Sequence, residues 1–271
     1  MNAETAVYKR QRMLVGLAAV FLGFSLLASA QTPAWLDPQN RGDQASDAMS
    51  EHLSARYTVE SASVKISERE GGATVRSLVA SGDFTPVAAV VPDPGDRGKE
   101  RALARAFLDA EAAALLGLAP ADVRVARVSK GMPGDVAQTV ISHRVYVGDL
   151  PLRGARVQLA LDGDGRIRRV SAELPVVPDA LRQATLRPTL DEQSVLRLVQ
   201  ADIEADARSA NAPYAVRRYA SDTARRPTQV EKLAVPTPPY VIWEVRSIWR
   251  YDIDAFTGKI LRKTPGWADA R

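Results

Sequence analysis

Few residues of this chain have the types and the spacing that enzyme chemistry requires. The chain has two histidines, His52 and His143, and they lie far apart in the sequence. A zinc protease that carries its ligands on one helix needs two histidines four residues apart, with a glutamate beside the first as the base. The segment around His52 reads Glu-His-Leu-Ser-Ala and has no second histidine. We therefore expect no zinc site there, and we interpret His143 as an ordinary strand residue.

Thiol and hydroxyl nucleophiles also lack the neighbours they need. The chain has no cysteine, which excludes disulfides, thiol catalysis and thiolate metal sites within it. It has no Gly-x-Ser-x-Gly segment, and a single histidine among many serines does not make a catalytic triad. The sequence therefore predicts a protein that is not an enzyme, with no catalytic residue, no metal and no cofactor.

Two pairs of aspartates are the remaining candidates for a chemical site. Asp162 and Asp164 alternate with glycines, which could indicate a calcium-binding loop. Such a loop needs roughly four or more oxygen ligands, and two carboxylates are too few, so we predict a hairpin turn instead. Asp252 and Asp254 would share one face of a strand. Asp254 is better explained as a turn residue that accepts backbone N–H bonds, and an acid pair is the alternative.

The distribution of charge argues against a nucleic-acid partner. The formal net charge of the 271 residues is +4, and Lys9, Arg10 and Arg12 set against Glu4 supply half of it. The remaining basic residues alternate with acidic ones, whereas a nucleic-acid surface needs clustered basic residues with stacking aromatics. A composition of 46% hydrophobic and 25% charged residues is typical of a globular protein. The length of 271 residues is sufficient for one or two domains, each with its own hydrophobic core.

The first thirty residues have the three regions of a secretory signal peptide. Basic residues precede an apolar run from Met13 to Ala30, which ends in the cleavage sequence Ala28-Ser29-Ala30. The alternative is an uncleaved membrane anchor, because a run of this length could just span a bilayer. Small residues at its end favour cleavage. We therefore expect export to the periplasm or the cell exterior, with no membrane contact after the signal is removed.

The first half of the mature chain combines strands with one helix. Residues 31–55 are polar with little periodicity, and we predict a flexible lead. Strand-like runs follow at Tyr57–Ile66 and Thr74–Val79, with Gly71-Gly72 as a hairpin turn between them. A Pro/Gly linker, Val90–Gly98, precedes a helix from Lys99 to Gly117, where apolar residues recur every three or four positions and glycine ends the helix.

The stretch Gln138–Leu174 predicts a three-stranded antiparallel meander. Its first strand alternates, with Arg144 and Tyr146 on one face and His143 and Val145 on the other. Gly148-Asp149 and Asp162–Gly165 supply the turns, because glycine accepts the positive φ of tight hairpins. The basic residues of the last strand are expected on its solvent face: Arg166, Arg168 and Arg169.

Residues 99–175 resemble the propeptide domain of the fungalysin and thermolysin zinc proteases. The motifs that carry the resemblance are a helix ending in Leu-Leu-Gly-Leu, the turn residues Gly148, Pro151, Leu152, Gly154 and Ala155, and the Asp162–Gly165 turn. The sequence departs from the family at Arg144, where a glutamine is usual, and in a loop before Pro151 that is one residue longer.

The second half of the chain begins with a predicted linker at residues 176–188. A capping box then opens a helix, with Thr189 as N-cap and Glu192 three residues later. We expect strands at Gln229–Val235, Tyr240–Ile248 and Trp249–Asp254, and a turn into residues 259–261. The apolar stripe of the helix is predicted to consist of Leu190, Val195, Leu198, Val199 and Ile203.

Residues 186–264 resemble a PepSY domain. The sequence Asp-Ala-Phe-Thr-Gly-Lys-Ile-Leu at Asp254–Leu261 carries the resemblance, together with the aromatic-rich strand Val-Ile-Trp-Glu-Val before it. Both resemblances imply the same fold class, α+β, with two cystatin-like units that each pack a helix on an antiparallel sheet. The expected domains are 56–175 and 189–264, followed by a tail at 265–271.

The two resemblances together imply a protease-binding protein without a protease domain. In the related zymogens this pair of domains covers the catalytic domain, assists its folding and inhibits it. Only ten residues follow Leu261, so we expect this module to act in trans on a separately encoded thermolysin-like metalloprotease, as inhibitor or folding chaperone. The alternative is a cell-envelope structural or ligand-binding protein that has lost the protease link. The candidate partner contacts are Arg144, Tyr146, Arg153, Trp249 and Tyr251.

Overall fold

The computed structural model of the chain describes residues 34–36, 42–69, 74–89, 91, 96–131, 138–183, 187–221, 227 and 229–266. All of them belong to one compact unit. The predicted signal peptide, the glycine pair at 71–72 and most of the 90–98 linker lie outside the described residues. In the parts of the chain that are described, no helix is long and apolar enough to cross a membrane.

Five α-helices and ten strands make up the described part of the fold. The helices are α1 (Asp43–Ser54), α2 (Arg97–Glu111), α3 (Asp179–Gln183), α4 (Glu192–Arg208) and α5 (Tyr214–Ser221). The strands are β1 (Thr58–Glu68), β2 (Thr74–Asp83), β3 (Val123–Gly131), β4 (Gln138–Val147), β5 (Leu150–Leu161), β6 (Ile167–Pro175), β7 (Gln229–Ala234), β8 (Val241–Arg246), β9 (Trp249–Asp254) and β10 (Ile260–Pro265).

The strands form one mixed sheet, which confirms the α+β class. Its order is β1-β2-β6-β5-β7-β8-β9-β10, and β4 pairs with β5 and with β3. The pairings between described strands are antiparallel, except that Leu152 on β5 lies beside Ala234 on β7 in a parallel bridge. This bridge connects strands that the sequence assigns to two different domains.

The predicted meander is confirmed as β4, β5 and β6. Adjacent strands pair antiparallel, with Ile141 opposite Leu159 and Leu159 opposite Val170. Ile141, His143 and Val145 are buried while Arg144 between them is exposed, as the alternation predicts. The Asp162–Gly165 turn closes with a 3.0 Å hydrogen bond from the Asp162 N–H to the Arg166 carbonyl.

Helix α2 packs its apolar stripe, including Leu103 and Phe107, into the main core. It begins at Arg97, two residues before the predicted start, because the Asp96 carboxylate accepts the N–H groups of Gly98 and Lys99. A π-helical turn, Ala112–Leu116, continues α2. Gly117 ends the helix as predicted, with a φ of +63° that favours glycine.

The prediction of a flexible lead over residues 31–55 is wrong where α1 forms. Ala45, Met49 and Leu53 are buried at intervals of four residues, so one face of α1 packs into the main core. The Trp35 side chain is also buried, and its indole N–H donates a 3.0 Å hydrogen bond to the Leu115 carbonyl. Only one residue in four of α1 is apolar and buried, and so weak a stripe is hard to recognise in a polar segment.

The start of α4 also differs from its prediction. The N-cap is Asp191, whose carboxylate accepts the Ser194 N–H at 2.8 Å. Thr189 instead donates its hydroxyl to the Phe256 carbonyl at 2.7 Å, which ties the segment before α4 to the turn after β9. Aspartate and threonine are both strong N-caps, so this tertiary contact decides between them.

The predicted stripe of α4 is correct in its centre. Val195, Val199 and Ile203 are buried, and Leu190 packs against the core from the segment before the helix. Leu198 is 38% exposed and lies outside the buried stripe. The predicted linker before α4 contains the short helix α3, with Leu181 buried.

Candidate partner-binding surface

Three arginines lie side by side across neighbouring strands. Arg124 on β3 is opposite Arg144 on β4, and Arg144 is opposite Arg156 on β5. We call these three residues the arginine row. Their side chains are 47%, 46% and 56% exposed. The row therefore presents three positive charges on the outer face of the sheet.

The outer face is open because α2 packs against the inner one. Inward residues of β4, such as Ile141 and Val145, belong to the same core as Phe107 of α2. Thr139 on β4 also donates a 3.0 Å hydrogen bond to the buried carboxylate of Glu100 on α2. Since successive strand residues point to opposite faces, Arg144 must point away from α2.

Neighbouring groups offset the repulsion within the row. Like charges directly opposite in a sheet destabilise it. Arg144 pairs with Glu231 on β7, and Arg156 pairs with Glu173 on β6 at 2.8 Å. The Arg124 guanidinium lies over the Tyr146 ring, 4.2 Å from its centroid, and donates to the Gly148 carbonyl at 3.3 Å.

The charge of Glu173 responds to these arginines. Partial burial raises the pKa of Glu173, but hydrogen bonds from Arg156 and Arg69 outweigh burial and hold the pKa below its usual value. Glu173 is therefore a carboxylate at neutral pH. Two arginines share this single negative charge, so the sheet face keeps an excess of positive charge in these contacts.

Arg153 lies in a separate cluster, which we call the junction network. Its guanidinium donates to Asp252 on β9 at 2.7 Å and lies 3.3 Å from the Glu244 carboxylate on β8. Arg246 and Arg250 pair with Glu244 at 3.0 and 2.9 Å. The network thus consists of Arg153, Glu244, Arg246, Arg250 and Asp252, and it joins β5 to β8 and β9.

The two acids of the junction network are buried. Glu244 is 3% exposed and Asp252 is 6% exposed. Burial raises the pKa of Glu244, but the hydrogen bond and charge of Arg250 and the charge of Arg153 more than compensate, so the pKa lies below its usual value. A buried carboxylate needs such partners, since an isolated buried charge is very unfavourable.

Trp249 and Tyr251 lie on the opposite face of β9 from the junction network. Tyr251 is fully buried and donates its hydroxyl to Asp202 on α4 at 2.8 Å. A side chain without exposed surface has no means to contact a partner, so Tyr251 is removed from the predicted contact set. Trp249 is partly buried, with the Lys263 ammonium 5.4 Å from its ring centroid.

The structure therefore separates the five predicted contact residues. Arg144 and Tyr146 lie together on the outer sheet face, Arg153 is held in the junction network, and Trp249 and Tyr251 face α4. Arg124 and Arg156 were not among the predicted contacts. The position of Arg156 opposite Arg144 could have been predicted by pairing β4 with β5 residue by residue from the Gly148-Asp149 turn. Bulges in β4 and β5 shift the register of this pairing, so the simple count fails.

The other titratable residues that the sequence singled out, His143 and Asp254, serve the packing and the turns of the fold. His143 is buried, and burial lowers its pKa to about 4, so its ring is neutral at neutral pH. Asp254 accepts the N–H of Phe256 at 2.8 Å and the hydroxyl of Thr257 at 2.7 Å, which confirms it as a turn residue. Across the described ranges, no three His, Asp or Glu side chains are grouped closely enough to hold a metal ion.

No protein-family model matches the chain, and no curated protein matches it either.

Proposed function

We propose that this chain is an exported, non-catalytic module of the protease-propeptide kind. It acts in trans on a separately encoded thermolysin-like zinc metalloprotease, as inhibitor or folding chaperone. The arginine row and Tyr146 form the surface that meets the protease. The row is the observation that carries this proposal, because it is charged, exposed and left open by the helices.

The arrangement of helices and strands supports the propeptide interpretation. Helix α2 packs on the antiparallel strands β3 to β6, and α4 packs on the strands β7 to β10 through contacts such as the hydrogen bond from the Tyr251 hydroxyl to Asp202 at 2.8 Å. We propose that these halves correspond to the two cystatin-like units. The β5–β7 bridge and the junction network then explain why the halves share one sheet.

The chemistry of the arginine row defines the partner surface. Guanidinium groups form forked hydrogen bonds to carboxylates, so the complementary surface of the protease is acidic. Charges at the surface of an interface mainly accelerate association and set orientation. Binding is therefore expected to weaken as salt concentration rises, since exposed charges are screened over about 8–10 Å at physiological ionic strength.

The first experiment is a pull-down with the chain from Gln31 onward against the organism's own exported proteins. We expect recovery of a zinc metalloprotease and loss of its activity when the two proteins are mixed. The double variant R124Q/R144Q should raise the inhibition constant about tenfold, since the loss of surface charge pairs weakens association. The matched control R101Q/R218Q makes the same charge change on α2 and α5.

Two results would contradict the proposal. One is a folded protein that leaves the activity and refolding of every recovered protease unchanged. The other is inhibition that falls equally in R124Q/R144Q and in R101Q/R218Q, because a general charge effect needs no arginine row.

A second candidate function is a cell-envelope structural or ligand-binding protein without a protease partner. The observation that favours it is a groove beside the junction network that is lined by Arg69, Arg153, Arg250 and Arg262. Recovery of envelope polymers, or of no protein, in the pull-down would favour this candidate.

A further inference from the structure

An open groove of about 460 Å³ lies where the two halves of the sheet meet. Among the described residues that line it, every charged side chain is an arginine. They come from four strands or strand ends: Arg69 follows β1, Arg153 lies on β5, Arg250 on β9 and Arg262 on β10. Its accessible charge is therefore positive on several sides.

Carboxylates behind the groove hold three of these arginines, Arg69, Arg153 and Arg250, in place. Arg153 is bound by the buried Asp252 and Glu244, and Arg250 lies 2.9 Å from Glu244. Arg69 lies 2.9 Å from Glu173. Arg69 shares Glu173 with Arg156, and Arg153 shares Glu244 with Arg246 and Arg250.

Such an arrangement is favourable for binding an anion. Each guanidinium has five N–H donors, and the carboxylates behind the groove use only some of those on Arg153 and Arg69. Because the side chains are already positioned, a ligand that binds them loses less conformational freedom in the complex. Gly154, with a φ of +74°, lies beside them, and a Cβ added there would be in ordinary van der Waals contact with the Arg69 Nη1 atom, at 3.6 Å.

Apart from Thr237 and Gly154, the remaining described residues that line the groove are apolar. Val75 and Pro175 line one part, and Val235 and Pro236 line another. Its volume is within the range of about 300–1,000 Å³ that is usual for small-ligand sites. A simple inorganic anion would leave these walls uncovered, whereas a carboxylate attached to an apolar body would fill both parts.

We propose that this groove binds a carboxylate-bearing ligand of short-peptide size. The carboxylate lies among the guanidinium groups and forms forked hydrogen bonds with them, and the apolar part of the ligand packs against Val235 and Pro236. The site does not depend on a protease partner, so it stands or fails separately from the proposed inhibitory function.

Calorimetric titration of the purified protein with three probes tests the proposal. The probes are N-acetyl-valyl-leucine with a free carboxylate, the same dipeptide as its carboxamide, and inorganic phosphate. We expect the free acid to bind and the carboxamide to bind at least about tenfold more weakly, because the carboxamide lacks the charge that guanidinium groups recognise.

Matched variants locate the binding in the groove. R69Q/R262Q should raise the Kd of the free acid about tenfold or more, and R101Q/R218Q, with the same loss of charge elsewhere, should leave it unchanged. Both substituted groove residues are exposed, and the variant leaves Arg153 and Arg250 in place beside Glu244 and Asp252.

Three results would overturn the proposal. The first is binding of the free acid and the carboxamide with equal affinity. The second is a free acid that binds wild type and R69Q/R262Q with the same Kd, or that binds neither protein. The third is binding of phosphate without binding of the free acid. The last would assign the groove to a phosphate ligand instead.

Discussion

The guanidinium of Arg153 on β5 donates a 2.7 Å hydrogen bond to the carboxylate of Asp252 on β9. The two residues belong to domains that the sequence predicts separately. Asp252 is 6% exposed, so this bond is formed largely out of water. It shows that the two halves share a buried polar contact in addition to the β5–β7 bridge.

Replacement of Arg153 by glutamine is expected to destabilise the whole fold. The change leaves Asp252 and Glu244 buried with one cation fewer, and we expect a loss of about 2–3 kcal/mol in the free energy of unfolding. Urea denaturation followed by circular dichroism measures it. R101Q, on the exposed surface of α2, should change stability by less than about 0.5 kcal/mol. Equal stability of the two variants would show that the junction network does not hold the halves together.

His143 is expected to make stability depend on pH between about 6.5 and 4. Burial lowers its pKa from 6.5 to about 4 in the folded state, so between these values the unfolded chain binds a proton that the folded chain does not. Stability should therefore fall as pH falls, by about 3 kcal/mol from this group.

NMR titration of the imidazole C–H signals measures this pKa directly. The chain has only two histidines, and the H143L variant assigns the signal of His143 by its loss. H143L should also show a flatter dependence of stability on pH between 6.5 and 4. A His143 signal that titrates at pH 6.5 or above would contradict the prediction.

Met49→Ala tests whether α1 is part of the folded core. The Met49 side chain is 1% exposed, and its truncation leaves a cavity, so we expect a loss of about 2–4 kcal/mol. Asp47→Ala changes an exposed residue of the same helix and serves as the control in thermal unfolding. Equal Tm values for the two variants would show that residues 43–54 do not pack in the core and form part of a flexible lead, as the sequence predicts.

Gly117→Ala is expected to destabilise the end of α2 in two ways. Its φ of +63° is unfavourable for alanine, and an added Cβ would lie 2.9 Å from the Leu36 Cδ1 atom. Gly42 has a φ of +64° and no atom within 4 Å of such a Cβ, so Gly42→Ala isolates the backbone term. We expect the free energy of unfolding, measured by chemical denaturation, to fall by about 2 kcal/mol in Gly117→Ala and by about 1 kcal/mol in Gly42→Ala. A larger effect at Gly42 would mean that the contact with Leu36 does not matter.

The sequence predicted best those elements whose pattern is local. The meander follows from alternation in β4 and from glycines in its turns, and the end of α2 follows from Gly117, because these signals lie within a few residues of one another. The N-cap of α4 was predicted at Thr189 and lies at Asp191, since both residues suit the position and only the distant Phe256 carbonyl distinguishes them.

The candidate surfaces depended much more on tertiary structure. Arg144 could be placed on a strand face from the sequence, and that placement is correct. Its alignment with Arg124 and Arg156 required the register of three strands, and bulges in β3, β4 and β5 alter that register. The burial of Tyr251 required the packing of α4 on β9, where the phenol meets Asp202.

The sequence alone thus determined the main strands and helices and the types of residue available for chemistry, and the resemblances that it carries implied the α+β class. Periodicity and turn residues are sufficient to predict strands and helices, because these signals lie within a few residues of one another. The tertiary structure decided which arginines share a face, which carboxylates they meet and that β5 joins β7. Those relationships bring together residues about a hundred positions apart, such as Arg153 and Asp252, and no local pattern encodes such a contact.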